Sequence, residues 1–318
     1  MKKILAIVLA AVMLLSMTAC GAAAKKDTYV VGICQLVQHD ALDAATKGFQ
    51  DALTEALGDK VEFEVQNASG DSVNCTTIIN GFVSSKVDLI MANATPALQA
   101  AASATSEIPI LGTSVTDYAF ALEIDGWTGT VGGNISGTSD LAPLDGQAAM
   151  IQELFPDAKT IGLLYCSGEP NSIFQADSME ALLTDMGYSV ERYTFADSND
   201  VSSVTANACS NADVLYIPTD NTAASCTEAI NNVALSAGIP IVAGEEGIAS
   251  GCGVATLSIS YYDLGHATGE MAAEILTEGA DISTMEVRFA PAFTKEYNAD
   301  ICEALNITVP EDYVAIAK

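Results

Sequence analysis

Residues 29–65, YVVGICQLVQHDALDAATKGFQDALTEALGDKVEFEV, hold the unit from which the rest of the chain is built. Tyr29 to Ile33 is an apolar run with the length and β-branched content of a buried strand. From His39 to Leu57 the period changes, and Leu42, Ala45, Phe49, Leu53 and Ala56 fall on one helical face. Val61 to Val65 then alternates apolar with acidic residues, as a strand does. Strand, amphipathic helix and strand make a βαβ unit, and strands joined in this way lie parallel.

The pattern repeats outward from there. Val73 to Val83 and Pro96 to Ala104 read as helices, Val87 to Met91 and Ile108 to Leu111 as strands. Beyond the glycine-rich stretch Gly126 to Gly137 a second series begins. Its strands are Thr160 to Tyr165, Val190 to Phe195, Val214 to Ile217 and Pro240 to Ala243; its helices are Leu144 to Phe155, Ser172 to Met186 and Ala223 to Ser236. Tyr262 to Leu276 and Glu296 to Leu305 read as further helices, with Met285 to Phe289 a late strand. Continuous Val, Ile and Leu in the strands fits burial on both sheet faces. The expected class is α/β, with two Rossmann-like lobes built on parallel sheets.

Composition narrows the partners. The 318 residues carry 41 acidic and 12 basic side chains, a formal charge of −29, and such a surface repels nucleic acid. The length suits two domains, because single cores stop growing near roughly 250–300 residues. No apolar stretch reaches the roughly 20 residues of a membrane span.

Met1-Lys2-Lys3 followed by the uncharged run Ile4 to Met17 has the form of a secretory signal. Its end, Thr18-Ala19-Cys20-Gly21, resembles a bacterial lipobox, which implies lipidation of Cys20. Residues 1–19 are therefore expected to be a signal peptide and 20–28 a lipidated tether, with the chain extracytoplasmic and anchored to the cell membrane; an ordinary signal peptide cut near Ala19 is the alternative. The other seven cysteines, without CxxC spacing, make neither a disulfide framework nor a zinc site. Cys34 and Cys166, inside apolar runs, are expected to pack as small hydrophobes. No metal and no cofactor is expected.

In open parallel sheets the ligand crevice lies outside the carboxyl ends of the strands. The segments at those places are polar: Gln35 to His39, Asn67 to Asp71, Asn93 to Pro96, Gly112 to Asp117, Ser167 to Ser172, Pro218 to Asn221 and Gly244 to Glu246. None of the lysines, and neither Arg192 nor Arg288, lies in them, which disfavours phosphate esters and dicarboxylates. A zwitterion is easier to hold. Ser69, Thr95, Thr116 and Ser172 stand where helix N-termini and hydroxyls would take a carboxylate, and its ammonium needs an acid such as Asp220 or Glu169. Gln38, His39, Asp117, Asn171, Asn221 and Glu245 complete the candidate ligand-binding set. Each has a plainer reading as well: Thr95 and Ser172 cap helices with or without a ligand, Asp220 and Asn221 suit a cap or turn, and Asp117 could order its own loop. Trp127, Tyr118, Phe120 and Phe174 could wall a pocket or fill a core. No GxSxG, HExxH or P-loop is present and no GxGxxG follows the first strand, so no enzyme is expected.

The same loops carry a family resemblance. Gln35-Leu36-Val37-x-His39-x-Ala41-Leu42-Asp43-Ala44, Asn93-Ala94-Thr95-Pro96, Val115-Thr116-Asp117, Asn134 to Asp140, Tyr165-x-Ser167-Gly168-Glu169-x-Asn171-Ser172 and Pro218-Thr219-Asp220-Asn221 are similar to blocks of the substrate-binding lipoproteins of ABC transporters of the tryptophan/tyrosine uptake type. The resemblance runs from about Val30 to Ala273. It implies a type I periplasmic binding protein fold, two lobes joined by three crossovers that close on a ligand like a hinge, and a permease and ATPase as partners. On that basis lobe 1 is expected over 29–136 and 262–282, and lobe 2 over 137–261 and 283–318. The resemblance places the first crossover at Asn134 to Asp140, and the glycines around Trp127, just ahead of it, suit a segment that changes backbone angle. Gln38-His39-Asp40 and Tyr118 depart from the commoner Glu-His-Pro and Val-Thr-Asp-Pro. The expected function is capture of a small zwitterion, an apolar or aromatic amino acid, for delivery to an ABC importer; the alternative is a ligand-sensing receptor lipoprotein for a membrane signalling partner.

Overall fold

The structure, a computed structural model, describes residues 28–290 and 292–317. The signal peptide and nearly all of the tether expected at 1–28 lie outside them. The chain first runs through β1 (Tyr29–Gln35), α1 (Asp40–Leu57), β2 (Val61–Asn67), α2 (Ser72–Ser85), β3 (Leu89–Asn93), α3 (Thr95–Ala104), β4 (Ile110–Val115), the short α4 (Tyr118–Ala121) and β5 (Ile135–Ser139). The second series is α5 (Leu144–Leu154), β6 (Thr160–Cys166), α6 (Pro170–Asp185), β7 (Ser189–Phe195), α7 (Val201–Cys209), β8 (Val214–Ile217), α8 (Asn221–Ala224), α9 (Thr227–Ala237), β9 (Ile241–Ala243), α10 (Glu246–Cys252) and β10 (Ala255–Ser258). Then come α11 (Tyr261–Ala273), β11 (Arg288–Phe289), β12 (Thr294–Tyr297), α12 (Ala299–Ala304) and β13 (Val314–Ala315).

Two sheets result, ordered β2-β1-β3-β4-β5-β11 and β7-β6-β8-β9-β10-β12-β13. Their first five strands follow one doubly wound order, 2-1-3-4-5, so the lobes repeat each other. All pairs are parallel except β10 with β12, which is antiparallel. Helices cover both faces of each sheet, and each lobe accordingly has an apolar cluster on either side: Phe82, Ile90 and Leu98 opposite Phe49, Leu89 and Met271 in the first, Phe195, Leu215 and Ile248 opposite Leu163, Met179 and Tyr216 in the second. Six of the seven described cysteines are buried and all seven are free thiols.

The chain changes lobe three times: after Ser139, after Ser258 and after Phe289. The division expected at 136/137 falls inside β5, which pairs with β4 through Ser139. That expected at 282/283 separates β11 from β5, its partner in the first sheet. Short strands explain both differences, since β11 has two residues and β5 is Ser- and Gly-rich, with no apolar run to mark it. The helix expected over Glu296 to Leu305 begins only at Ala299, because Thr294–Tyr297 pairs with β10. The helix expected over Ala223 to Ser236 is two, broken at Ser225 and Cys226.

Candidate functional site

In each lobe the strand order reverses between the first and third strands, where loops diverge and leave room for a ligand. In lobe 1 the loops after β1 and β3 bring His39, Asn93 and Thr95 to this place; in lobe 2 those after β6 and β8 bring Glu169, Asn171, Asp220 and Asn221. The two edges face each other. Backbone strain collects on the lobe 1 side: Ser69, Ala94 and Ser114, following or ending β2, β3 and β4, hold φ of 56°, 91° and 54°. Non-glycine residues in such conformations are costly and cluster at ligand sites.

A buried polar network sets the lobe 1 floor. Gln35 takes a hydrogen bond from the Thr46 hydroxyl (2.7 Å) and donates to Asp43 (2.6 Å), while the Asn93 amide donates to the Leu42 carbonyl (2.8 Å). These bonds fix the amino end of α1 against β1 and β3. On the other side Glu169 accepts from the backbone and side chains of Asn221 and Thr222, at 2.6–3.0 Å. Asp220 accepts from Ala223 N–H, Cys166 N–H and the Ser172 hydroxyl. Both acids thus cap the same short helix, α8.

The lobes touch at several points. The Thr116 and Thr219 hydroxyls lie 3.4 Å apart, Gln175 donates to both, and the Phe120 and Phe174 rings meet at 5.4 Å. His39 Nε2 lies 3.3 Å from Asn221 Oδ1. The Asn221 amide nitrogen already donates to Glu169, so its oxygen faces His39, Nε2 carries the ring proton and Nδ1 is left with a free lone pair. Burial holds this imidazole below its usual range.

Between the lobes lies a small cavity walled by His39, Leu42, Ser114, Asp140, Asn171, Thr219, Asp220, Asn221, Ala224, Glu245 and Tyr261. Its chemistry is unbalanced. Asp140, Asp220 and Glu245 line it and are at most 5% exposed, and Glu169 stands behind them. Burial pushes Asp140 up to about 6 and Glu245 up to about 7; burial and the neighbouring Glu169 raise Asp220 further above the usual carboxylate range. Among the described residues no lysine or arginine lines the cavity. Both arginines are held in ion pairs elsewhere, Arg192 with Asp177 and Glu180 and Arg288 with Glu274. His39 Nδ1, Asn93 Oδ1, Thr95 Oγ1, Ser114 Oγ, Asp140 Oδ1 and Asn171 Oδ1 are buried without a partner in this region. A buried unpaired polar atom costs about 1–3 kcal/mol, so their convergence marks a place built for polar ligand atoms.

Of the candidates named from sequence, His39, Asn171, Asp220, Asn221 and Glu245 wall the cavity. Thr116 joins the lobes, Ser172 supports Asp220, and Thr95 presents a free hydroxyl in the first turn of α3. Asp117 caps α4 through Phe120 N–H. Ser69 is exposed on the rim of an outer cleft, and Gln38 is exposed on a separate groove beside Gly247 and Ser250. Tyr118 is a core residue whose hydroxyl donates to the Thr138 carbonyl. The first crossover, after Ser139, falls within the expected Asn134 to Asp140, and Trp127 lies ahead of it, at the sheet edge away from the crevice: two residues on, the Gly129 carbonyl takes Val287 N–H beside the amino end of β11. Sequence reasoning missed Ser114, Asp140, Gln175 and Tyr261 as site residues. Gln175 had a signal, four residues after Asn171 and so on the same face of α6; Asp140 and Tyr261 sit at crossovers whose ends no local pattern marks.

Comparison with known proteins agrees with this geometry. Residues 30–318 match the family model described as ABC transporter substrate binding protein. A tyrosine-binding protein of Clostridioides difficile (strain R20291) is 38% identical over 280 residues, 87% of this chain and 81% of that protein. The solved ABC domain in complex with L-Trp from Streptococcus pneumonia is 33% identical, with a TM-score of 0.85 covering 89% of this chain and 96% of that one. The ligand-free, open structure of a substrate-binding protein with adhesive properties from Clostridium difficile is 36% identical but superposes less well, TM-score 0.67, over 91% of this chain and 99% of that one. The lobes here are thus arranged more as in the complex than as in the open form, in keeping with the contacts between them. More distant solved structures share only the fold, that of type I periplasmic binding proteins. By sequence and by structure, the chain belongs to the family of ABC transporter substrate-binding proteins.

Proposed function

We propose that the crevice captures an aromatic amino acid, and that the chain presents it outside the cell to the permease and ATPase of an ABC importer. The observation that carries this reading is the interlobe cavity itself, where buried carboxyl groups and partnerless polar atoms converge without a lysine or arginine. An ammonium group supplies the missing positive charge. The ligand's carboxylate falls to the lobe 1 edge, where α3 has no side-chain cap and Thr95 offers a hydroxyl. The tyrosine and L-Trp named for two relatives support an aromatic side chain.

Isothermal calorimetry on the purified, ligand-stripped chain tests the reading. L-Tyrosine or L-tryptophan is expected to bind with micromolar or tighter affinity, and sugars and phosphate esters not at all; a sugar that binds while no amino acid does would overturn it. Mass spectrometry of ligand released from freshly purified protein gives an independent identification.

Anchoring belongs to the same proposal. Among the described residues no helix is long and apolar enough to cross a membrane, and the lipobox-like Thr18-Ala19-Cys20 supports acylation at Cys20. Two acyl chains, at about 0.8 kcal/mol per buried CH₂, would hold the chain at the membrane. Fatty-acid labelling in cells is expected to mark the wild type and not Cys20→Ala; an unlabelled wild type would remove the anchor from the proposal.

A further inference from the structure

Three of the crevice acids are already occupied by the protein. Glu169 accepts five hydrogen bonds, Asp220 three, and Glu245 takes the Gly247 and Ile248 N–H groups as the cap of α10. Asp220, one of the two acids offered from sequence for the ammonium, thus has both oxygens committed. Asp140 differs. It is 5% exposed, its Oδ2 accepts one bond from the Tyr261 hydroxyl at 3.0 Å, and its Oδ1 accepts none. The Thr116 hydroxyl is near enough to lower the pKa of this carboxyl, yet it is engaged with Thr219 and Gln175, and Oδ1 is left without a partner.

Position adds a second role. Asp140 is the first residue past β5, where the chain first leaves lobe 1, and Tyr261 opens α11, where it returns. The Asp140 to Tyr261 bond therefore ties two of the three crossovers together at the cavity wall. Lobe 1 grips the same joint, since Ser139 Oγ donates to the Thr116 carbonyl at 2.8 Å and Asp140 N–H to the Val115 carbonyl at 3.3 Å.

We propose that Asp140 Oδ1 is the anchor for the ligand's ammonium, and that the Asp140 to Tyr261 bond transmits its capture to closure of the lobes. This rests on the amino-acid reading above and deepens it by naming the residue that recognises the amine. A charge-assisted bond supplied in full only when the amine is present makes Asp140 a specificity residue: it rejects the same aromatic acid without the amine. The tie to Tyr261 fixes the carboxylate's direction, and a ligand that draws Asp140 toward itself draws both crossovers together.

The test compares L-tyrosine and L-tryptophan with their des-amino analogues, 3-(4-hydroxyphenyl)propionate and indole-3-propionate, by calorimetry on the full mature chain. For the wild type the amino acid is expected to bind tighter by roughly 10- to 100-fold, the worth of a charge-assisted bond. Asp140→Asn is expected to bring that preference to about threefold or less with des-amino binding little changed, which also reports that the variant is folded. Should the amide disturb folding, Asp140→Glu keeps the charge one methylene out of place and is expected to weaken amino-acid binding by about tenfold, in line with lost placement of one such bond. A wild-type preference retained in Asp140→Asn overturns the assignment and moves the ammonium to another acid. Tyr261→Phe tests the second role: at saturating amino acid the ligand-induced compaction seen by small-angle X-ray scattering is expected to shrink, and full compaction in Tyr261→Phe would overturn the coupling. Wild-type protein that binds no amino acid would instead overturn the parent reading, and this one with it.

Discussion

Gly265→Val is expected to lower the melting temperature by roughly 5–10 °C or to abolish folding of lobe 1. Helix α11 returns from the second crossover and lies on α1, and small residues at the contact allow the two backbones to meet. A Cβ at Gly265 would stand 1.9 Å from the Ala45 carbonyl oxygen, and one at Gly48, on the facing helix, 2.1 Å from the Tyr262 carbonyl oxygen. Real Cβ atoms do not approach backbone so closely, and here the obstacle is main chain that cannot rotate away. The helices must separate along their length, which opens the layer of Phe49, Leu53 and Met271 beneath them. Overpacking of this kind costs about 1–3 kcal/mol when side chains give way and more when backbone must move, and about 1 kcal/mol shifts a chain of this size by roughly 2–4 °C. Thermal unfolding followed by circular dichroism measures it. A melting point within about 1 °C of the wild type would show that the helices do not meet as described.

The βαβ repeat was legible because it rests on apolar periodicity, a property of neighbouring residues. Tyr29 to Val65 reads as strand, helix and strand, and the structure has these at Tyr29–Gln35, Asp40–Leu57 and Val61–Asn67. The elements that escaped have no such period. β5, Ile-Ser-Gly-Thr-Ser, is buried through partners far away in sequence, with Ser136 and Thr138 bonded to Met285 and Thr268. β12, Thr-Lys-Glu-Tyr, is polar yet pairs with β10, so long-range pairing overrode local pattern.

The crevice itself was legible from topology, because parallel strands put their ligand loops at one edge; the division of labour within it was not. Whether an acid in such a loop faces a ligand or caps a helix depends on which donors reach it. Asp220 and Glu245 wall the cavity and also accept bonds from the N-terminal amides of α8 and α10, a role that the sequence suggested for Asp220 but not for Glu245. Asp140 is a single letter at the end of a Ser- and Gly-rich block, and Tyr261, whose hydroxyl donates to its Oδ2, lies 121 residues on.

Acidifying the solution from pH 7.5 to 5 is expected to weaken amino-acid binding by about tenfold or more while the ligand-free chain grows more stable. The two trends share one cause. Burial raises Asp140 to about 6 and Glu245 to about 7, and raises Asp220 with them, whereas the same groups in the unfolded chain titrate near 4. The folded, ligand-free protein therefore binds protons more tightly than the unfolded chain in the window between these values. Its stability from these groups is fully present below about pH 4 and is lost as pH rises through 6 and 7, so between pH 5 and 7.5 the melting temperature should fall with increasing pH. An ammonium ligand needs the ionised carboxylate, and at pH 5 a group of pKa about 6 is ionised in only about one molecule in eleven, which sets the tenfold loss. Binding near neutral pH must then release protons, so the heat measured in two buffers of different ionisation enthalpy should differ by the amount released. Affinity that is flat across this range, with no buffer dependence, would mean that the crevice acids stay ionised without the ligand and that its ammonium is not what balances their charge.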